Sequence, residues 1–319
     1  EERRQRTAGL VLGTVFGSVH TISAFDRRAL EAGPIYAKPL DFANSVINAA
    51  AGQTAIWHGL PGTNSTICAG TTSGLQALLY GADLIRAGRA EVLLAGGAEE
   101  LCLESFLGYQ RTGRVAGSRN GRPPNAVPFA AERNGFLLSE GAALMVLESE
   151  ESARSRGARI LGRLLGGGNA FDPSRGVDGG SAASALRRSI FEALTQAGLQ
   201  ASAIGAVSSS ANGSVQGDLY EAQGIARSLG ETAETVPVAA VKGLLGEGLG
   251  AGGALQAVAL LASLEAGRLP GVPGLAEPEP GLPLRRLRTE PQDVGSGIGL
   301  VTALSFDGHS CALVLESAS

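Results

Sequence analysis

Aromatic residues are scarce: Phe, Trp and Tyr together make up 4% of the chain, with a single Trp. Large rings cannot dominate its core. Charge is sparse too, at 18% Asp, Glu, Lys and Arg, against an average near ~25%. Beside 44% hydrophobic residues, that low charge excludes an intrinsically disordered chain. A basic excess is missing. The net charge is −4, so no nucleic-acid partner is expected. No apolar run reaches the roughly 18 residues of a membrane span, so no membrane partner is expected either. The three cysteines, Cys68, Cys102 and Cys311, are widely spaced and form neither a disulfide framework nor a zinc site. The three histidines, His20, His58 and His309, are isolated. No metal or other cofactor is expected, and a reducing, cytoplasmic setting is the default. No secretory signal is visible. The opening EERRQR is not a Met followed by an apolar stretch, which suggests that the natural start is missing.

Glycine is plentiful, with 47 residues among 319, about twice its usual ~7% share. It follows no G-X-Y period, so collagen is excluded. The core is expected to be Ala, Val, Leu and Ile around close backbone contacts. The length allows one large or two ordinary domains. Residues 9–14, 64–69, 91–95 and 142–148 read as buried strands, with GGAEE after the third read as a turn. TTSG at 71–74 opens a helix with apolar Leu75, Leu78, Leu79, Ala82 and Ile85 on one face. Beyond a polar helix end near 151–160, a strand, a helix over 183–196, a strand and turn at 205–213 and an Ala- and Leu-rich helix over 251–266 follow. A Pro-rich loop and two closing strands complete the chain. Strands alternating with helices argue for α/β layers. The stretch GLQALLYGADLIRAGR at 74–89 is echoed by GALQAVALLASLEAGR at 253–268. Either two Ala-rich helices look alike by chance, or an α/β unit is duplicated and two equivalent helices lie between two sheets.

A strand–turn–helix junction is a good place for a nucleophile, because the helix dipole favours negative charge there. Here that position is Thr71. Its hydroxyl needs an adjacent base to react, and the plainer reading is a helix cap. Two further turns carry polar residues among glycines: Asn212 after a strand, and Lys242 and Glu247 before a helix. The second lacks the GxxxxGK[ST] ending of a phosphate loop. Glu247 could serve as a base, whereas Asn212 could not. Cys68 lies three residues before Thr71. Strand alternation turns it the other way, as a buried structural cysteine.

The blocks NSTICAGTTSGLQAL, EVLLAGGAEE, VPFAAERNGFLLSEGAALMVLE, SSANGS, VKGLLGEGLGAGGALQAV and SFDGHSCALVL resemble those of β-ketoacyl synthases of the thiolase fold, in the same order. The resemblance implies an α-β-α-β-α layered α/β fold built from two similar βαβαβ halves, divided as 1–156 and 157–319. The family has a further segment before the position matching Glu1, so the N-terminal half is expected to be incomplete. The departures are informative. Thr71 stands at the family's nucleophilic cysteine, Asn212 and Glu247 at its two histidines, and Ala130 at the last position of a Pro-Phe-Asp triplet. Lys242 and Phe306 are retained family positions. With these replacements the chain resembles the chain-length-factor branch, the ketosynthase β subunit of type II polyketide synthases. That implies a heterodimer with a catalytic ketosynthase, an acyl carrier protein as a possibly indirect partner, and no enzyme activity of this chain by itself, only a place in an acyl-transferring β-ketoacyl synthase complex. Glutamine is common at the Thr71 position in that branch, so a decarboxylating role gains no support. The tunnel-gating helix maps onto FGSVHTISAFDRRAL, with Val19, Ile22 and Asp26 facing the acyl tunnel. Medium-sized Val19 and Ile22 leave room for a long, slim chain. Arg111, Arg114, Arg119 and Arg122 either steer the acidic carrier protein or form a solvated loop. The rivals are an acyltransferase or hydrolase using Thr71 with Glu247, and a free-standing acyl-binding homologue.

Overall fold

The run AGLVLG offers no polar side chain to either face of a sheet, and it forms a central, buried strand, β1 (Ala8–Gly13). The computed structural model describes residues 7–119, 121–174 and 179–318; the opening EERRQR lies outside them. After β1 come α1 (Val19–Ala32), α2 (Pro39–Ala43), α3 (Ala49–His58), β2 (Asn64–Ile67), α4 (Ser73–Arg86), β3 (Val92–Glu99), α5 (Leu103–Thr112), β4 (Gly141–Glu148) and α6 (Glu150–Ser155). The second part holds β5 (Gly162–Phe171), α7 (Gly179–Ala197), β6 (Ala206–Ser208), α8 (Val215–Leu229), α9 (Thr232–Thr235), β7 (Val238–Ala239), α10 (Lys242–Leu245), α11 (Gly252–Glu265), β8 (Arg268–Leu269), β9 (Gln292–Asp293), β10 (Ile298–Leu304) and β11 (His309–Ser317).

Among the described residues, four strands form one sheet in the order β2-β1-β3-β4, and five form another in the order β5-β11-β10-β6-β7. The two orders correspond. In each, a pair of parallel neighbours (β2 and β1; β7 and β6) lies beside a parallel strand (β3; β10) that turns back into an antiparallel one (β4; β11). The echoed helices occupy equivalent places. Buried Leu75, Leu78 and Leu84 of α4 and Ala257, Leu260 and Leu264 of α11 share one core with Val11 and Leu93 of the first sheet and Val301 and Leu313 of the second. The fold is thus the layered α/β arrangement of thiolase type.

Glycine sets the spacing of that middle layer. A Cβ on Gly74 would lie 2.6 Å from the Gly250 carbonyl, and one on Gly97 would lie 2.1 Å from the same oxygen. Real Cβ contacts are never that short, so glycine alone lets β3, α4 and the 249–251 turn close on one another. The GGAEE segment accordingly does not turn where the sequence suggests. β3 continues through Gly96 and Gly97 to Glu99, paired with β4 throughout.

Candidate functional site

Thr71 lies at the end of the β2–α4 connection, two residues before the helix, and it is 4% exposed. Thr72 takes the capping position instead, although its hydroxyl donates to the Ala69 carbonyl (2.6 Å) rather than capping an amide. Asn212 sits in the turn between β6 and α8, and Glu247 just after α10. The fold brings all three to one cavity of about 80 Å³, with Ser210, Asp218, Glu221, Arg114 and Phe306 also on its walls. That volume holds a few waters or a short acyl fragment.

Glu247 is fully engaged. Its carboxylate accepts from Lys242 Nζ (2.8 and 3.0 Å), from Asn212 Nδ2 (2.6 Å) and from the Leu249 amide (3.0 Å). Both members of the ion pair are buried, with side chains 3% and 1% exposed. These donors occupy its lone pairs. The Leu249 amide bond also holds a residue at φ +48°, an unusual value for leucine. The Thr71 amide donates to Ser305 Oγ (3.2 Å), which fixes the backbone beneath its hydroxyl.

Two further carboxyl groups reach the cavity from α8, at i and i+3 on its buried face. Asp218 accepts from the amides of Phe129, Asn212 and Gly213 and pairs with Arg133 Nε at 3.3 Å. It therefore ties the Asn212 turn to Phe129, which is held at φ +63°. Burial pushes its pKa up to about 6 against the pull of those partners. Glu221 takes the Ser210 amide (2.7 Å), Ser210 Oγ (2.9 Å) and Thr302 Oγ1 (2.6 Å), all on Oε1. Burial, reinforced by the charge of Asp218, raises its pKa to about 7. Neither acid stands in a motif that the sequence reading used. The available signal was an acid pair on the same stripe as Ala222, Ile225 and Leu229. A fourth acid, Glu99 at the end of β3, gathers the amides of Val15, Phe16 and Gly250. Among the described residues no cluster of His, Cys, Asp and Glu could hold a metal ion.

The other predicted positions lie apart. Val19 and Ile22 are half-buried on α1, whereas Asp26 is exposed. None of them borders the cavity. Phe25, on the same helix, packs on Phe42, with ring centroids 5.9 Å apart. Cys68 is a correction. It follows β2 rather than lying in it, so strand alternation does not bury it; it is exposed, with its thiol donating to the Val15 carbonyl (3.4 Å). Burial of the sulfur and the charges of Glu99 and Asp307 raise its pKa, which keeps it a thiol. Three of the four arginines have separate contacts. Arg119 donates to the Thr112 carbonyl, Arg122 reaches Glu132 at 3.8 Å, and Arg114 lies over Phe306.

Residues 1–153 match the model of the β-ketoacyl synthase N-terminal domain, and residues 172–275 that of its C-terminal domain. The chain is 30% identical over 321 residues to the 3-oxoacyl-[acyl-carrier-protein] synthase 2 of Vibrio harveyi, an alignment covering 99% of this chain and 76% of that protein. The chain belongs to the β-ketoacyl synthase family. Among solved structures, this β-ketoacyl synthase homologue superposes on the ishigamide ketosynthase/chain length factor with a TM-score of 0.87 and 29% identity, covering 98% of this chain and 76% of that one. On AntDE:AntF, a type II polyketide synthase acyl-carrier protein in complex with its ketosynthase bound to the hexaketide, the TM-score is 0.91 at 26% identity, with coverage of 98% and 79%.

These relatives correct one expectation. The loss of three side chains suggested no enzyme activity for the chain by itself. The relatives that match nearly its whole length, from Vibrio harveyi, Rhizobium meliloti and Synechocystis, are 3-oxoacyl-[acyl-carrier-protein] synthases, and they point to a catalytic ketosynthase. The physical reason is that the three replacements leave the site itself standing. A cavity, polar groups at all three positions and the buried Lys242 remain together.

Proposed function

We propose that this chain is a chain-length-factor-like subunit of a type II polyketide synthase. It pairs with a ketosynthase chain, and the pair extends an acyl chain delivered by an acyl carrier protein. In this reading α1 shapes the tunnel at the interface through Val19 and Ile22. Division of the chain into halves at residues 156 and 157, and a cytoplasmic location, belong to the same proposal. Among the described residues no helix is long and apolar enough to cross a membrane.

The observation that carries the reading is the surface of α1, α2 and α3. Leu30, Ile35, Leu40, Ile56 and Trp57 are between 77% and 88% exposed there, with Tyr36 and Phe42 beside them. Large apolar side chains left this exposed mark a candidate protein–protein contact. Likeness to a ketosynthase/chain length factor and to a ketosynthase complexed with its carrier protein supports a ketosynthase as the occupant. The test is elongation by the reconstituted pair with its carrier protein. Val19→Phe and Ile22→Phe should each shorten the product, because a ring on this face narrows the tunnel. Product length unchanged by both would overturn the tunnel role.

A further inference from the structure

Most charged groups around the cavity have close partners of their own. Glu247 is matched by Lys242, and Asp218 by Arg133, which also reaches Glu279 at 2.6 Å. Burial raises the Glu221 pKa to about 7, so it is largely neutral only below that. Asp307 accepts the His309 amide at 3.3 Å. Arg114 is left. It follows α5 and places its guanidinium on the cavity wall, still open to solvent. Among the described residues no carboxylate lies within ion-pair distance of it. Burial lowers the Arg114 pKa, and the positive charge of Arg119 adds a smaller push the same way. A guanidinium remains charged despite such a shift.

Its orientation is fixed by rings. Arg114 Cζ stands 4.6 Å from the centroid of Phe306. Phe306 is in turn braced by Tyr109, edge to face at 5.6 Å, and Tyr109 by Phe136 at 5.7 Å. Stacking occupies the flat face of the guanidinium and leaves its in-plane N–H donors free. A planar fork of free donors, held rigid beside a small cavity, matches the geometry of an oxyanion.

We propose that Arg114 is the oxyanion-recognition residue of this cavity, binding the carboxylate or phosphate group of a ligand whose other end enters toward Thr71. The small volume favours a compact ligand. This inference concerns the isolated chain and stands whether or not the chain pairs with a ketosynthase.

Calorimetric titration of the purified chain tests it, with butyrate, the neutral isostere butyramide, and methyl phosphate as probes. Butyrate or methyl phosphate should bind at least about tenfold more tightly than butyramide, as charge-assisted pairs do, and more weakly as salt is raised. The tighter of the two anions identifies the ligand group as carboxylate or phosphate. Arg114→Gln should remove the preference for the anion. Arg114→Lys, which keeps the charge but loses the fork, should retain part of it. Thermal melting of both variants confirms that they fold. Equal binding of butyramide and both anions to the wild-type chain, or an anion preference that survives in a folded Arg114→Gln, would overturn the proposal.

Discussion

Lys242 and Glu247 exchange two short contacts in a place that water does not reach, and each answers for the other's desolvation. Lys242→Met should cost about 3–5 kcal/mol, because it strands a buried carboxylate. Adding Glu247→Leu should restore part of that loss, which urea unfolding of the single and double variants would show. If the double variant is as unstable as the single one, the pair is not the unit that matters. Glu221 sets a pH dependence of its own. Its pKa rises from about 4.3 in an unfolded chain to about 7 in the fold. The raised value means that the folded state holds the proton more tightly. Its contribution is complete below about 4.3 and is lost as pH rises through about 7, at up to ~1.4 kcal/mol per unit within that window. Wild-type stability should therefore fall relative to Glu221→Gln between pH 4.5 and 7 and run parallel above, so parallel curves throughout would contradict the assignment. Thr71, Asn212 and Glu247 were legible in the sequence because each stands inside a block with recognisable glycines. Glu221 was not, since its burial against Ser210 and Thr302 is set by the fold; Arg114 was named in the sequence, but its lack of a carboxylate partner is a matter of space.

Among the elements, α4 and α11 were the most legible, through their echoed Leu-Gln-Ala and Ala-Gly-Arg. Their common burial between two sheets follows from apolar residues around most of each helix. The end of β3 was misread because glycine usually signals a turn. At Gly97 it serves a close approach instead, to the Gly250 carbonyl. Gly97→Ala should destabilise by about 1–3 kcal/mol, as overpacking does. Gly52→Ala, within α3, meets nothing within 4 Å and should stabilise by about 0.5–1 kcal/mol through helix propensity. Thermal unfolding of the two variants separates the roles, and losses of equal size would refute the close-approach explanation. In α1 the helix itself was legible, but the sequence reading did not give its seating. Phe25 packs on Phe42 from α2, a tertiary contact that no helical spacing encodes, and Asp26 is left at the solvent.

At the scale of the whole molecule, the layered α/β fold was legible from alternating strands and helices and from the repeated helix. The exposed apolar residues of α1–α3 were not, because the sequence has no long hydrophobic run there; only the fold shows that residues such as Ile35 and Trp57 stay at the surface. Under the proposed function those residues meet a partner chain. Burying such side chains is worth about 1.5–3 kcal/mol each, enough in sum to hold a stable dimer after the cost of association. The most direct measurement is the mass and composition of the complex formed when this chain is co-expressed with a ketosynthase from its own genome. A stable one-to-one heterodimer is the expected result, and Trp57→Asp should weaken it. A homodimer or monomer that leaves the ketosynthase untouched would contradict it.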